Sequence, residues 1–164
     1  MFWFDKQDPR ALFVDIRREE YTIAPDAAYA NGSKIVVNPD VQASFTDIPF
    51  PADSFSLVVF DPPHIQREQP LGVFTKKYGC LNGDWREMLR LGFAECFRVL
   101  KPNGTLIFKW AESEFPVAEV LALTPEKPLF GHKSGKKMGT HWVAFLKPNT
   151  KLSSAAAASG SATG

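Results

Sequence analysis

Phe55-Ser56-Leu57-Val58-Val59-Phe60-Asp61-Pro62-Pro63-His64 is the stretch that decides how this chain folds. The run from Phe55 to Phe60, apolar except for Ser56, reads as a buried strand. An acid and two prolines come directly after it. Each proline fixes φ and removes a main-chain donor, so the strand ends in a stiff lip rich in acceptors: the Asp61 carboxylate and nearby carbonyl oxygens. Acceptors without competing donors suit an amino group that must be held and stripped of a proton. In open α/β sheets, ligands sit beyond the carboxyl ends of strands. The plain alternative is a tight turn, since Asp-Pro and Pro-Pro both form turns.

Working outward, Asp84 to Leu100 has helical spacing, with Trp85, Leu89, Phe93, Cys96 and Leu100 recurring at three- and four-residue steps. Asp84 is placed as N-cap, with Glu87 completing a capping-box pattern. Gly92 interrupts this helix at a cost of about 1 kcal/mol against alanine, which points to close packing. Pro102 and Gly104 stop the helix, and Thr105–Trp110 reads as the next strand. Pro116 to Leu121 opens a short helix. Leu123–Phe130 and His141–Leu146 read as the last two strands, separated by a glycine-rich basic loop carrying Lys133, Lys136 and Lys137. Residues 65–83 read as a long substrate-facing loop that includes Lys76, Lys77 and Tyr78. Upstream, Leu12–Ile16 reads as a strand, residues 18–33 as a loop and Lys34–Val37 as a short β run.

The chain has 164 residues and a formal net charge of +1, so one domain is expected and no global nucleic-acid field exists. Any such affinity must come from local patches. Residues 1–148 are assigned to the domain and 149–164 to a flexible Ala/Ser/Gly/Thr tail. Cys80 and Cys96 form no CxxC pair, which suits a reducing cytoplasm, and Cys96 is placed in the core. His132 and His141 match no zinc spacing, so no metal is expected. No stretch is long and apolar enough to span a membrane, and the aromatic opening is unlike a secretory leader, so a cytoplasmic location is expected.

Three blocks taken in order resemble a class I S-adenosylmethionine-dependent methyltransferase: Ser44-Phe45-Thr46-Asp47-Ile48-Pro49-Phe50-Pro51-Ala52-Asp53-Ser54-Phe55, then Asp61-Pro62-Pro63-His64, then Gly92 through Phe108. The middle block is similar to the [DN]-P-P-[aromatic] motif of amino methyltransferases that act on nucleic acids, here with histidine in fourth place. The resemblance implies an α/β, Rossmann-like methyltransferase sheet with an antiparallel C-terminal hairpin. The first strand and the glycine-rich loop of that fold are expected to be missing, because Met1-Phe2-Trp3-Phe4 reads as the segment that comes after that loop. The implied cofactor is S-adenosyl-L-methionine. Asp15 would accept from its ribose hydroxyls, with Ile16 beside it. Ser44 and Phe45 would lie near its adenine, Ser44 standing where the family usually carries an acid. Asp61 would serve both cofactor and target.

In that chemistry Asp61 and the Pro62 carbonyl hold the two N–H bonds of an exocyclic base amine, Pro63 stiffens the lip and His64 stacks on the base. Stacking on an aromatic platform is worth about 1–3 kcal/mol per base. A base in a duplex must first be flipped out. Lys76, Lys77 and Tyr78, with Lys133, Lys136 and Lys137, supply two basic loops suited to DNA or RNA, although a solvated hairpin tip explains the second loop equally well. Transfer to adenine or cytosine is therefore expected. The alternatives are a protein side-chain amide as acceptor, or a non-catalytic methyltransferase remnant that binds a partner. Oligomeric state is not legible.

Overall fold

The computed structural model describes residues 3–25, 30–69, 72–135 and 139–149. In chain order the elements are β1 (Val14–Asp15), β2 (Glu19–Ile23), β3 (Ser33–Val37), β4 (Val41–Gln42), β5 (Phe55–Phe60), α1 (Gly72–Tyr78), α2 (Trp85–Val99), β6 (Leu100–Ala111), α3 (Val117–Leu121), β7 (Phe130–Ser134) and β8 (Thr140–Leu146). The architecture is mixed α/β with few helices, built around a four-stranded mixed sheet in the order β5-β6-β8-β7. The apolar run of β5 pairs in parallel with β6, with Val58 opposite Leu106 and Phe60 opposite Phe108. β8 then runs antiparallel to β6, and β7 antiparallel to β8.

Strand alternation divides the sheet into two faces. One carries Val58, Phe60, Leu106, Phe108, Val143 and Phe145, and α2 lays its apolar stripe on it. Phe93, Leu89 and Cys96 of that stripe are buried beneath Phe60, Phe108 and Phe145. Burial pushes the Cys96 thiol well above its usual range, as befits a core residue. The other face is open. Leu57, Phe130 and Leu146 are 56%, 69% and 47% exposed there, so β5, expected to be a buried strand, is covered on one face only.

The helix boundaries come from the capping chemistry. The Asp84 carboxylate accepts from the main-chain N–H groups of Arg86 at 3.0 Å and Glu87 at 3.3 Å. The Glu87 side chain turns to Arg90 at 2.7 Å instead of closing a capping box. Pro102-Asn103-Gly104 forms a bulge inside β6, where the pairing jumps from Phe55–Leu100 to Leu57–Thr105 and Asn103 adopts φ 61°.

Four further expectations are corrected. Residues 18–33 are not all loop, because β2 pairs antiparallel with β3, Tyr21 facing Ile35, and Glu20 meets Lys34 at 2.8 Å. Residues 65–83 are not a featureless loop either. Phe74 and Tyr78 meet four residues apart and help shape α1. Leu123–Phe130 forms no strand. Pro125 and Pro128 remove ladder donors, and pairing starts only at Phe130, so Lys133 lies in β7 and not in the hairpin loop. Finally, the strand read over Leu12–Ile16 shrinks to Val14–Asp15, paired in parallel with β4 as a separate two-stranded piece. The tail from residue 150, with Lys136 and Lys137, lies outside the described residues.

Gly92 shows why that helix position lacks a side chain. A Cβ there would come within 2.7 Å of both the Phe45 and Phe60 rings. Helix propensity favours Gly92→Ala by about 1 kcal/mol, but overpacking against two rings costs about 1–3 kcal/mol. The expected outcome is a lower thermal midpoint for Gly92→Ala, read by circular dichroism. An unchanged or raised midpoint contradicts the close packing.

Candidate functional site

β5 delivers the lip. Phe60, 4% exposed, anchors the strand end under α2, and alternation turns Asp61 to the opposite face. The Phe60–Phe108 register sets Lys109 of β6 beside it. The Lys109 ammonium donates to Asp61 Oδ1 at 2.8 Å and Oδ2 at 2.9 Å. Lys109 Nζ also lies 5.9 Å from the Trp142 ring centroid. Pro62 is buried, and no donor takes its carbonyl among the described residues. Pro63 packs on Gly79, which combines φ +81° with a Cβ position only 3.1 Å from Pro63 Cγ. Both features demand glycine there.

His64 is half-buried, edge-on to Phe74 at 5.7 Å and to Trp110 at 6.3 Å. Burial, and then the charge of Lys109, push its pKa below the usual 6.5. At neutral pH the ring is an uncharged aromatic surface, not a cation.

The second carboxylate on this rim is Asp15, at the carboxyl end of β1. Arg17 grips it through Nε at 3.0 Å and Nη2 at 2.8 Å, and the Arg17 main-chain N–H adds a third bond at 2.9 Å. The same guanidinium donates through Nη1 to the Lys76 carbonyl at 2.9 Å and lies 3.4 Å from the Gly79 Cβ position. Asp15, Arg17, Gly79 and Pro63 thus form one continuous set of contacts, which joins the β1 end to the lip. Ile16 is 64% exposed beside it. The Ser44 hydroxyl is closed onto Thr46, with Oγ–Oγ1 at 2.7 Å. Phe45 packs on the Phe60 ring at 5.5 Å, at the edge of the core.

The predicted basic residues separate. Lys76, Lys77 and Tyr78 are on α1, adjacent to the lip through Phe74, which meets the Tyr78 ring at 4.8 Å. Lys133 is committed elsewhere, to Glu112 at 2.8 Å. That bond above all, then the nearby His141 ring and the Val117 N–H, hold the Glu112 carboxyl down at about 2. His141 Nε2 sits 2.9 Å from the same carboxylate but out of line for a hydrogen bond. Sequence reasoning missed Lys109 and Arg17. The signal for Lys109 was a lone charge in the apolar run Leu106-Ile107-Phe108-Lys109-Trp110. Arg17 carried no signal beyond its nearness to Asp15.

As a cofactor site, the donor set fits in kind. A carboxylate offers about four lone-pair sites, so Arg17 leaves Asp15 about one for a hydroxyl, and Lys109 leaves Asp61 about two. The rim is nevertheless open. Two surface hollows, about 490 Å³ at Thr22–Pro25 and Asn31–Lys34 and about 260 Å³ between Arg90 and Glu126, touch none of these residues. The described residues supply part of such a rim, and neither of these hollows encloses it. Among them, no group of three His, Cys, Asp or Glu side chains is placed to hold a metal ion, and no helix is long and apolar enough to cross a membrane. No family model matches this chain, and no curated protein is significantly similar to it.

The His64 environment has a pH consequence. Its folded pKa lies below the unfolded 6.5, so its contribution to stability is full above about 6.5 and is lost as pH falls below that value. Glu95 and Glu114 have pKa values below the usual 4.5 and stay ionised through this window. Thermal midpoints measured from pH 8 to pH 5 are expected to fall in the wild type. His64→Phe is expected to flatten that decline, and an equal decline in both proteins contradicts the assignment to His64.

Proposed function

We propose that this chain is the core of an S-adenosylmethionine-dependent methyltransferase acting on the exocyclic amino group of adenine or cytosine in DNA or RNA. The observation that carries the reading is the acceptor lip. Asp61, Pro62, Pro63 and His64 stand at the carboxyl end of a strand paired in parallel, the placement at which open α/β sheets bind ligands. The order of elements supports it as well: a parallel pair joined through α2, then an antiparallel hairpin, as the sequence resemblance implies.

When bound, the cofactor supplies an electrophilic methyl group. The chain's own residues handle the amine. An exocyclic amino group is a poor nucleophile because its lone pair is delocalised into the ring. The free lone pairs of Asp61 and the Pro62 carbonyl accept its two N–H bonds, favouring a pyramidal nitrogen. Lys109 fixes the Asp61 carboxylate in one orientation, so alignment is set before the target arrives. Pro62 and Pro63 keep competing donors away. Uncharged His64 offers a flat surface for the base. The nitrogen loses one proton as its bond to carbon forms, and Asp61 is the nearest base to receive it. Asp15 retains acceptor capacity for a ribose hydroxyl on the same rim.

The open rim favours one competing reading, a methyltransferase remnant that binds a partner without catalysis. Two measurements separate them. Calorimetric titration with S-adenosyl-L-methionine should give saturable heat, and labelled methyl should appear in a nucleic-acid pool and not in protein. Asp61→Asn should lower transfer by at least about 100-fold, the scale on which losing one aligned polar contact acts, while leaving the thermal midpoint near wild type. Absence of both heat and label supports the binding protein. Label in protein alone redirects the acceptor to a side-chain amide.

A further inference from the structure

We infer that α1 is a docking element for single-stranded nucleic acid, with Phe74 and Tyr78 each receiving a base and Lys77 a phosphate. This rests on the function proposed above and extends it from the target base to the neighbouring nucleotides.

Three rings lead away from the lip in a row. His64 meets Phe74 at 5.7 Å, and Phe74 meets Tyr78 at 4.8 Å between centroids. The two outer rings are 46% and 42% exposed, side by side on one face of α1. The two rings are tilted by 52° to one another, so each offers an exposed surface of its own to one base of a splayed strand.

Charge selects the partner. Around the lip most cations are neutralised by acids of the same chain: Arg17 by Asp15, Lys109 by Asp61, Arg67 by Glu114. The α1 lysines are different. Lys76 Nζ lies 5.3 Å over the Tyr21 ring and Lys77 Nζ 5.3 Å over the Tyr78 ring, and no carboxylate pairs with either among the described residues. The uncompensated positive charge of this rim thus sits on the element that displays the rings. Flat rings interleaved with ammonium groups are what a strand of bases and phosphates requires. α1 is also held in place, by the Arg17 bond to the Lys76 carbonyl and by Gly79 against Pro63. Little ordering cost remains on binding.

The test is fluorescence anisotropy with short labelled single-stranded DNA and RNA, without cofactor, against the wild type, Phe74→Leu, Tyr78→Leu, Phe74→Tyr and Lys77→Ala. Leucine keeps apolar volume and removes the ring, and circular dichroism melts check that each variant is folded. Each leucine variant should bind about 5- to 100-fold more weakly. Phe74→Tyr should retain affinity. Lys77→Ala should reduce the slope of log affinity against log salt by about 0.7. The inference is overturned if the wild type binds neither oligonucleotide. It is equally overturned if folded Phe74→Leu and Tyr78→Leu bind as tightly as wild type, or if polyglutamate binds with the same dependence on the rings. Loss of oligonucleotide binding in these variants, with no methyl transfer by the wild type, leaves docking standing and removes the enzymatic reading. Methyl transfer with ring-independent binding does the reverse.

Discussion

The register between β5 and β6 is the constraint on which the site depends. With Phe60 opposite Phe108, both rings fall on the face that α2 covers, and the next residue on each side must turn the other way. Asp61 and Lys109 therefore meet on the opposite face without any loop to arrange them. A slip of one residue would bury the acid under Phe93 and expose the ring. Hydrophobic burial on one face fixes the electrostatics of the other.

That arrangement alters the chemistry a proline-rich lip suggests when read alone. A free carboxylate would be hydrated and mobile. A carboxylate held by an ammonium through both oxygens keeps two acceptor positions in fixed directions. The pairing at Asp15 repeats the pattern with a guanidinium, which also reaches the Lys76 carbonyl and so ties α1 to the rim. Contacts through Arg17, Gly79 and Pro63 link the two acids, and each has a cationic partner that sets its orientation.

Much of this was legible in the residues. The apolar run before Asp61, the Asp84 cap and the apolar spacing of α2 each obey a local rule, and each acts over a few residues. The misreadings have separate causes. β2 was hidden because its partner β3 lies ten residues on and its residues are mostly exposed, which weakens periodicity. α1 was hidden because seven residues are too few for a stripe. The strand before Phe130 was an overextension past prolines.

The sequence by itself determined the strand over residues 55–60, the stiff acceptor lip behind it and the helix that packs over one of its faces, because backbone stiffness, caps and apolar spacing are properties of neighbouring residues. Only the tertiary structure decided which cation faces which acid, that His64 is an uncharged, half-buried ring, and that Lys133 serves Glu112 while the α1 lysines meet no acid among the described residues. Those partners lie tens of residues apart along the chain, and strand register and burial, which no local pattern encodes, bring them together.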